Sequence, residues 1–187
     1  MSPMIALPPR PALDLAALVR TIPDFPKPGI LFRDITTLIS DAAGFSESVR
    51  RLSERAAAHR PDLIVAVEAR GFLFGAAMAS AMGLGLVPVR KAGKLPGVTI
   101  GVDYELEYGT DRLELHEGAV VQGHRVVLVD DLLATGGTIL AAAQLIRNVG
   151  AEVAAAMFVI DLPDLGGSER LAAAGLVCET LIAFDGD

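Results

Sequence analysis

The chain has 187 residues, a formal net charge of −7, 52% apolar residues and one cysteine. Its length fits one domain with a sizeable core, and its acidic balance excludes a broad nucleic-acid footprint, which needs a basic face. Cys178 alone excludes an internal disulfide and fits a cytoplasmic protein, and no apolar run approaches the ~18 residues that span a bilayer.

In chain order, residues 1–10 are Pro-rich, lack the pattern of a signal peptide and read as a flexible arm. From Ala12 to Ile22, the residues Leu15, Leu18, Val19 and Ile22 fall at helical spacing, with Pro11 suited to a first turn. Pro23-Asp24-Phe25-Pro26-Lys27-Pro28-Gly29 holds three prolines in seven residues, which excludes helix and central strand. Ile30 to Ile35 reads as extended. Phe45, Val49, Leu52 and Ala56 mark an amphipathic helix that ends before Pro61. Leu63 to Val67 is a short apolar strand; Glu68-Ala69-Arg70-Gly71, a small-residue helix from Phe72 to Met82 and a strand from Leu86 to Arg90 follow. Strand, helix and strand in this order form a βαβ unit and imply parallel sheet.

Lys91-Ala92-Gly93-Lys94-Leu95-Pro96-Gly97 is basic and rich in Gly and Pro, which suits a mobile loop. Val98 to Tyr108 and Arg112 to Leu115 alternate as a hairpin would, so residues 91–110 read as a lid. Val126 to Val129 is a buried strand running into Asp130-Asp131-Leu132-Leu133-Ala134-Thr135-Gly136-Gly137-Thr138, and Ile139, Ala142, Ala143 and Ile146 continue as a helix. Val153 to Ile160 is the next strand, Ser168 to Ala174 a short helix, and Val177 to Phe184 a last strand or edge. The expectation is one α/β domain over residues 1–187, with about five core parallel strands and helices on both faces.

The stretch after Val129 carries the chemistry. Ligands of open α/β sheets bind past the carboxyl ends of the strands. A Gly/Thr loop leading into a helix N-terminus offers free N–H groups and a favourable dipole to a phosphate. Asp130 and Asp131 beside such a cradle can accept bonds from vicinal sugar hydroxyls and offset positive charge on a sugar ring. No Lys follows Gly137, which excludes the P-loop, and Gly83-Leu84-Gly85 precedes a strand rather than a helix, which excludes the dinucleotide fingerprint.

The Asp130 to Thr138 stretch resembles the phosphoribosyl-diphosphate (PRPP) motif of the type I phosphoribosyltransferases. Four other segments resemble the adenine phosphoribosyltransferases: Asp24 to Asp34, Glu68 to Gly75, Arg90 to Gly97, and Leu106-Glu107-Tyr108-Gly109. The resemblance spans residues 22–162. It implies the type I fold: a central, mostly parallel sheet of about five strands flanked by helices, with a flexible lid hairpin and a small N-terminal hood. It implies the reaction of adenine with PRPP to give AMP and pyrophosphate, with Mg2+ held mainly by PRPP, pyrophosphate and water and with no direct protein ligand assigned. Carried over residue by residue, Ala134, Thr135, Gly136, Gly137 and Thr138 hold the 5′-phosphate. Asp130 and Asp131 hold the ribose. Phe32 stacks on adenine, backbone groups of Leu31 and Arg33 read its edge, and Leu132 closes its other face. Glu68, Ala69, Arg70, Arg90, Lys91 and Lys94 surround pyrophosphate, with a cis peptide expected between Glu68 and Ala69 and Arg90 reaching the neighbouring site of a homodimer. Glu107 is the acid/base group at N7 of adenine, while Glu105 faces outward.

Read without the resemblance, Phe32 and Leu132 are ordinary core residues, Arg70 and the lid cations a solvated basic patch, and Glu107 an exposed strand residue. Other readings are transfer to another purine base, or a silent PRPP- or nucleotide-sensing regulator. Leu31-Phe32-Arg33 and Leu-Glu-Tyr-Gly disfavour the first. Retention of Glu107, Arg70 and the basic lid disfavours the second. Cys178 reads as a buried inert thiol, and His59, His116 and His124 read as scattered surface residues with no metal site.

Overall fold

The computed structural model describes residues 13–105 and 109–186. The expected arm and Leu106-Glu107-Tyr108 lie outside the described residues. A small hood comes first, with β1 (Arg20–Pro23) paired antiparallel to β2 (Leu31–Asp34). Helices α1 (Thr36–Ser40) and α2 (Ala42–Ala58) lead to β3 (Leu63–Val67), α3 (Gly71–Met82) and β4 (Gly85–Lys91). The hairpin β5 (Thr99–Glu105) and β6 (Thr110–His116) precedes β7 (Arg125–Leu133), α4 (Gly137–Asn148), β8 (Glu152–Asp161), α5 (Gly167–Ala173) and β9 (Cys178–Ala183).

The main sheet has the order β5-β6-β4-β3-β7-β8-β9. Strands β4, β3, β7, β8 and β9 are parallel, as the apolar runs and βαβ spacing require. The hairpin adds two antiparallel strands through Arg90↔Glu114 and Lys91↔Leu113. Successive residues of a strand face opposite sides. Val126 and Leu128 accordingly join the core under α4, and Val127 and Val129 the core under α2 and α3. All four are fully buried, which is why β7 has no polar alternation before Asp130.

The first expected helix is absent. Asp14 Oδ1 accepts the Ala16 amide at 3.0 Å and starts a single 3₁₀ turn, Ala16–Leu18. The chain is then drawn into the hood, where Thr21 pairs with Arg33 and Ile22 with Phe32. Leu15 and Val19 still reach the core, so the apolar spacing reported burial but not helix. β7 also runs four residues past Val129, because β8 pairs with it as far as Leu133↔Asp161, while β3 pairs only as far as Ala66↔Val129. The acidic pair thus sits on the overhang of the strand.

The histidines are not loose surface groups. His59 Nε2 is 2.7 Å from Glu179 Oε1, His116 Nε2 is 2.8 Å from the Pro96 carbonyl, and the Val121 amide donates to His124 Nδ1. Cys178 is half-buried, its thiol pushed up to about 11 by burial and by the charges of Asp161 and Glu179, so it holds its proton near neutrality.

Candidate active site

The β7 overhang, the loop after it and the N-terminus of α4 enclose a cavity of about 100 Å³ lined by Asp130, Leu132, Ala134, Thr135, Gly136, Gly137 and Thr138. Gly136 has φ +80°, and a Cβ there would lie 2.8 Å from Leu171 Cδ1, so only glycine turns the loop. No side chain caps α4, which leaves its first amides aimed at the cavity, the arrangement that holds a phosphate. Arg170 Nη1 donates to the Thr135 carbonyl at 3.1 Å and steadies the loop from behind.

Asp130 and Asp131 differ in their partners. The Asp130 carboxyl is pushed well above the usual carboxylate range, first by burial and then by the Asp131 charge, and its Oδ1 accepts the Asp131 amide at 2.8 Å. Asp131 is buried and accepts from Arg70 Nε at 2.5 Å. Burial opposes the charge on Arg70, but the Asp131 hydrogen bond and charge outweigh it and hold the guanidinium protonated. The N-terminus of α3 comes close to this overhang because Gly71 has no side chain. A Cβ there would sit 2.8 Å from the Val129 carbonyl and 2.9 Å from Asp130 Oδ1.

A second cavity, about 240 Å³, is lined by Glu68, Ala69, Arg70, Lys91, Tyr104, Asp130, Asp131, Leu132 and Thr138 among others. The peptide between Glu68 and Ala69 is cis, as expected. Glu68 is gripped by Arg90 through two bonds of 3.0 and 3.2 Å and accepts the Lys91 amide at 3.0 Å. Burial raises its pKa, but these donors outweigh burial and keep it ionised. Arg90 is therefore engaged within its own chain, where it also donates to the Lys94 carbonyl at 2.8 Å. Glu105 is exposed, as expected.

A third cavity, about 370 Å³ and mostly apolar, opens under the hood beside Ile22, Phe25, Phe32, Arg33, Asp34 and Arg70. Phe25 meets Phe32 edge-on, with centroids 5.1 Å apart. Arg70 lines both this cavity and the second one, so it joins them. Leu31 is exposed and does not line this cavity, and Leu132 borders the other two cavities. Asp34 fixes the hood to α1. It accepts from Thr36 and Arg20, which together hold its carboxyl at about 2.

Sequence reasoning passed over Tyr104 and Asp111. The hairpin register sets them opposite each other, and Asp111 pairs with Lys91 Nζ at 2.9 Å while accepting from the Tyr104 hydroxyl at 3.3 Å. Only the register, not the local sequence, brings the three together. Among the described residues no group of three or more His, Cys, Asp or Glu side chains could hold a metal ion. Asp130 and Asp131 supply the hard oxygen donors that a divalent cation such as Mg2+ takes, but as a pair they fall short of a complete ligand set. No described helix is long and apolar enough to cross a membrane.

The phosphoribosyl transferase domain family matches residues 36–173. The adenine phosphoribosyltransferase of Sphingopyxis alaskensis is 87% identical over 184 residues, covering 98% of this chain and 100% of the relative. That of Erythrobacter litoralis is 59% identical over 173 residues, covering 92% and 97%. Among solved structures, the adenine phosphoribosyltransferase of Thermoanaerobacter pseudethanolicus has a TM-score of 0.86 at 50% identity, covering 91% of this chain and 98% of that one. The Saccharomyces cerevisiae enzyme, complexed with an imino-altritol bisphosphate and adenine, has a TM-score of 0.83 at 38% identity, covering 90% and 96%.

Proposed function

Because the chain belongs to the adenine phosphoribosyltransferases of the type I phosphoribosyltransferase family, we propose that it joins adenine to the ribose of PRPP, giving AMP and pyrophosphate. The observation that carries the reading is the Arg70–Asp131 pair, which joins an aromatic cavity large enough for a base to the second cavity, where Thr138 of the uncapped helix N-terminus also stands.

In this reading N9 of adenine forms a bond to C1′ as the bond from C1′ to pyrophosphate breaks and its electron pair leaves with pyrophosphate. The loop Ala134 to Thr138 anchors the 5′-phosphate. Asp130 and Asp131 accept the ribose hydroxyls and face the cationic ring. Hydroxyl donors favour the ionised form of Asp130, against the burial that raises it in the free chain. Arg70, Glu68-Ala69 and Lys91 form the pyrophosphate side, with Arg90 and Lys94 behind them. Fixed positive charge there stabilises the developing negative charge without reorganisation. Phe32 and Leu132 bracket the base, and Leu31 and Arg33 read its edge through the backbone. Glu107 takes the proton from N7 as N9 is alkylated. Asp130 and Asp131 are the carboxylates that would face a Mg2+ ion, which when bound would supply further positive charge against the leaving group. Closure of residues 91–110 excludes water from PRPP.

The reading includes Mg2+ dependence, a homodimer and a cytoplasmic location. The half-buried, protonated Cys178 suits a reducing compartment. The test is a panel of adenine, hypoxanthine, guanine, xanthine and orotate with PRPP, with and without Mg2+. Adenine alone yields AMP and pyrophosphate, and chelation abolishes turnover. Product from an oxopurine, or none from adenine, refutes the assignment.

A further inference from the structure

The hood is a two-stranded sheet that shares no ladder with the main sheet. An isolated hairpin of this size is marginal in water, so something else must hold β2. Asp34 ties its far end to α1, and the segment after β9 holds the rest. The Phe184 amide donates to the Asp161 carbonyl at 3.1 Å, and the Gly186 amide donates to Asp164 Oδ2 at 2.8 Å, which pins both ends of a short strap. Gly186 has φ +83°, a turn that other residues adopt poorly.

Arg33 of β2 reaches across to this strap. Its guanidinium lies 4.6 Å over the Phe184 ring, and Nη2 donates to the Asp185 carbonyl at 2.9 Å and more weakly to the Gly186 carbonyl at 3.4 Å. Nη1 donates to Thr21 Oγ1 at 2.7 Å, tying in the partner strand. Arg33 Nε is buried with no partner among the described residues, so packing rather than full hydrogen bonding fixes this side chain. The site of Gly186 faces Leu31, with a Cβ there 3.7 Å from Leu31 Cδ1. Residues 152 apart in sequence thus meet at the strand that borders the base cavity.

We propose that Phe184-Asp185-Gly186, with Asp164 as its anchor, is a strap that positions Leu31 to Arg33 and so sets the affinity for the nucleobase independently of PRPP. The proposal rests on the reading that the backbone of Leu31 and Arg33 contacts adenine. A planar guanidinium is needed because it stacks on Phe184 and forks to the backbone at once, which an ammonium cannot do.

Three variants test it: a chain ending at Phe184, Phe184→Leu, and Asp164→Ala, which removes the acceptor of the Gly186 amide, each compared with the parent chain. The KM for adenine rises about tenfold, as losing a charge-assisted hydrogen bond or two would cause, while kcat and the KM for PRPP stay within about twofold. Amide exchange at residues 31–34 quickens while α4 keeps its protection. Parallel rises in both KM values, or unchanged exchange at residues 31–34, overturn the strap. Exchange is read without substrate. If the parent chain does not turn over adenine, the assigned activity fails while the exchange data still decide the strap. If one variant does not fold, the other two carry the comparison.

Discussion

Gly71→Ala probes how closely α3 must approach the acidic overhang. The new Cβ would lie 2.8 Å from the Val129 carbonyl, 2.9 Å from Asp130 Oδ1 and 3.0 Å from Asp130 Cα. Ordinary contact begins at 3.4 Å, so α3 or the overhang must give by several tenths of an ångström, and two of the three neighbours are backbone atoms. Overpacking of this kind costs about 1–3 kcal/mol. At roughly 2–4 °C per kcal/mol for a chain of this size, the midpoint falls by about 2–12 °C. The displacement also reaches Asp130, the carboxylate proposed to face the ribose, and misplacement on this scale costs about 10- to 100-fold in kcat. Gly75→Ala is the control. Its Cβ would lie 2.5 Å from Ala66 Cβ, a clash inside the same helix–sheet contact but away from Asp130. Thermal melts and steady-state kinetics at a temperature where both variants are folded separate the two effects. Both should melt early, but only Gly71→Ala should lose turnover. Equal kcat in the two variants would refute the claim that Gly71 acts through Asp130.

Glu107→Gln should lower kcat by about 10²- to 10⁴-fold, the usual worth of a positioned acid/base group, while PRPP binding measured by calorimetry persists; near-parental turnover removes Glu107 from the proton transfer. Asp131→Asn removes the charge that Arg70 pairs with, so kcat/KM for PRPP should fall at least about tenfold, and unchanged kinetics for both substrates count against the ribose role. Asp34 has a folded pKa of about 2 against 3.8 for the free side chain, a depressed carboxylate. Its contribution to stability is therefore complete above the unfolded value and is lost as pH falls through about 2. Urea midpoints from about pH 5 to about pH 2 should drop less steeply in Asp34→Asn than in the parent, and identical slopes would remove Asp34 from the acid response.

The parts of the fold that the sequence declares most clearly are those buried on both faces. β3, β7 and β8 read as uninterrupted apolar runs because helices cover both sides of the sheet. The N-terminal segment misleads because the same spacing of Leu15, Leu18, Val19 and Ile22 serves a 3₁₀ turn followed by a strand, and pairing with β2 overrides the local pattern. α1 is too short for periodicity to register, and its signal is a single contact: Asp34 Oδ1 accepts the Thr36 amide at 3.0 Å at the start of the helix. At the site, the Asp-Asp-loop-helix motif was legible because its chemistry is contiguous. The approach of Gly71 to Asp130, the joining of Lys91 to Asp111, and the meeting of Arg33 with Asp185 are contacts between distant segments, and no local residue pattern encodes them.

The order of the sheet leaves β5 and β9 as its outer strands. An outer strand presents unpaired backbone groups on which a second molecule could build, the first step of edge-to-edge aggregation. The two rims are protected by different means. On β5, the exposed Glu105 and the Asp103–Arg112 ion pair, 3.0 Å across the hairpin, put charged groups along the strand, which an approaching strand would have to desolvate. On β9, Arg55 of α2 donates to the Thr180 carbonyl at 2.6 Å and occupies an acceptor that a stranger's amide would need. A fixed cap suits the rim that packs against a helix. Charge suits the rim formed by the hairpin, because it deters a neighbour without tying the hairpin down.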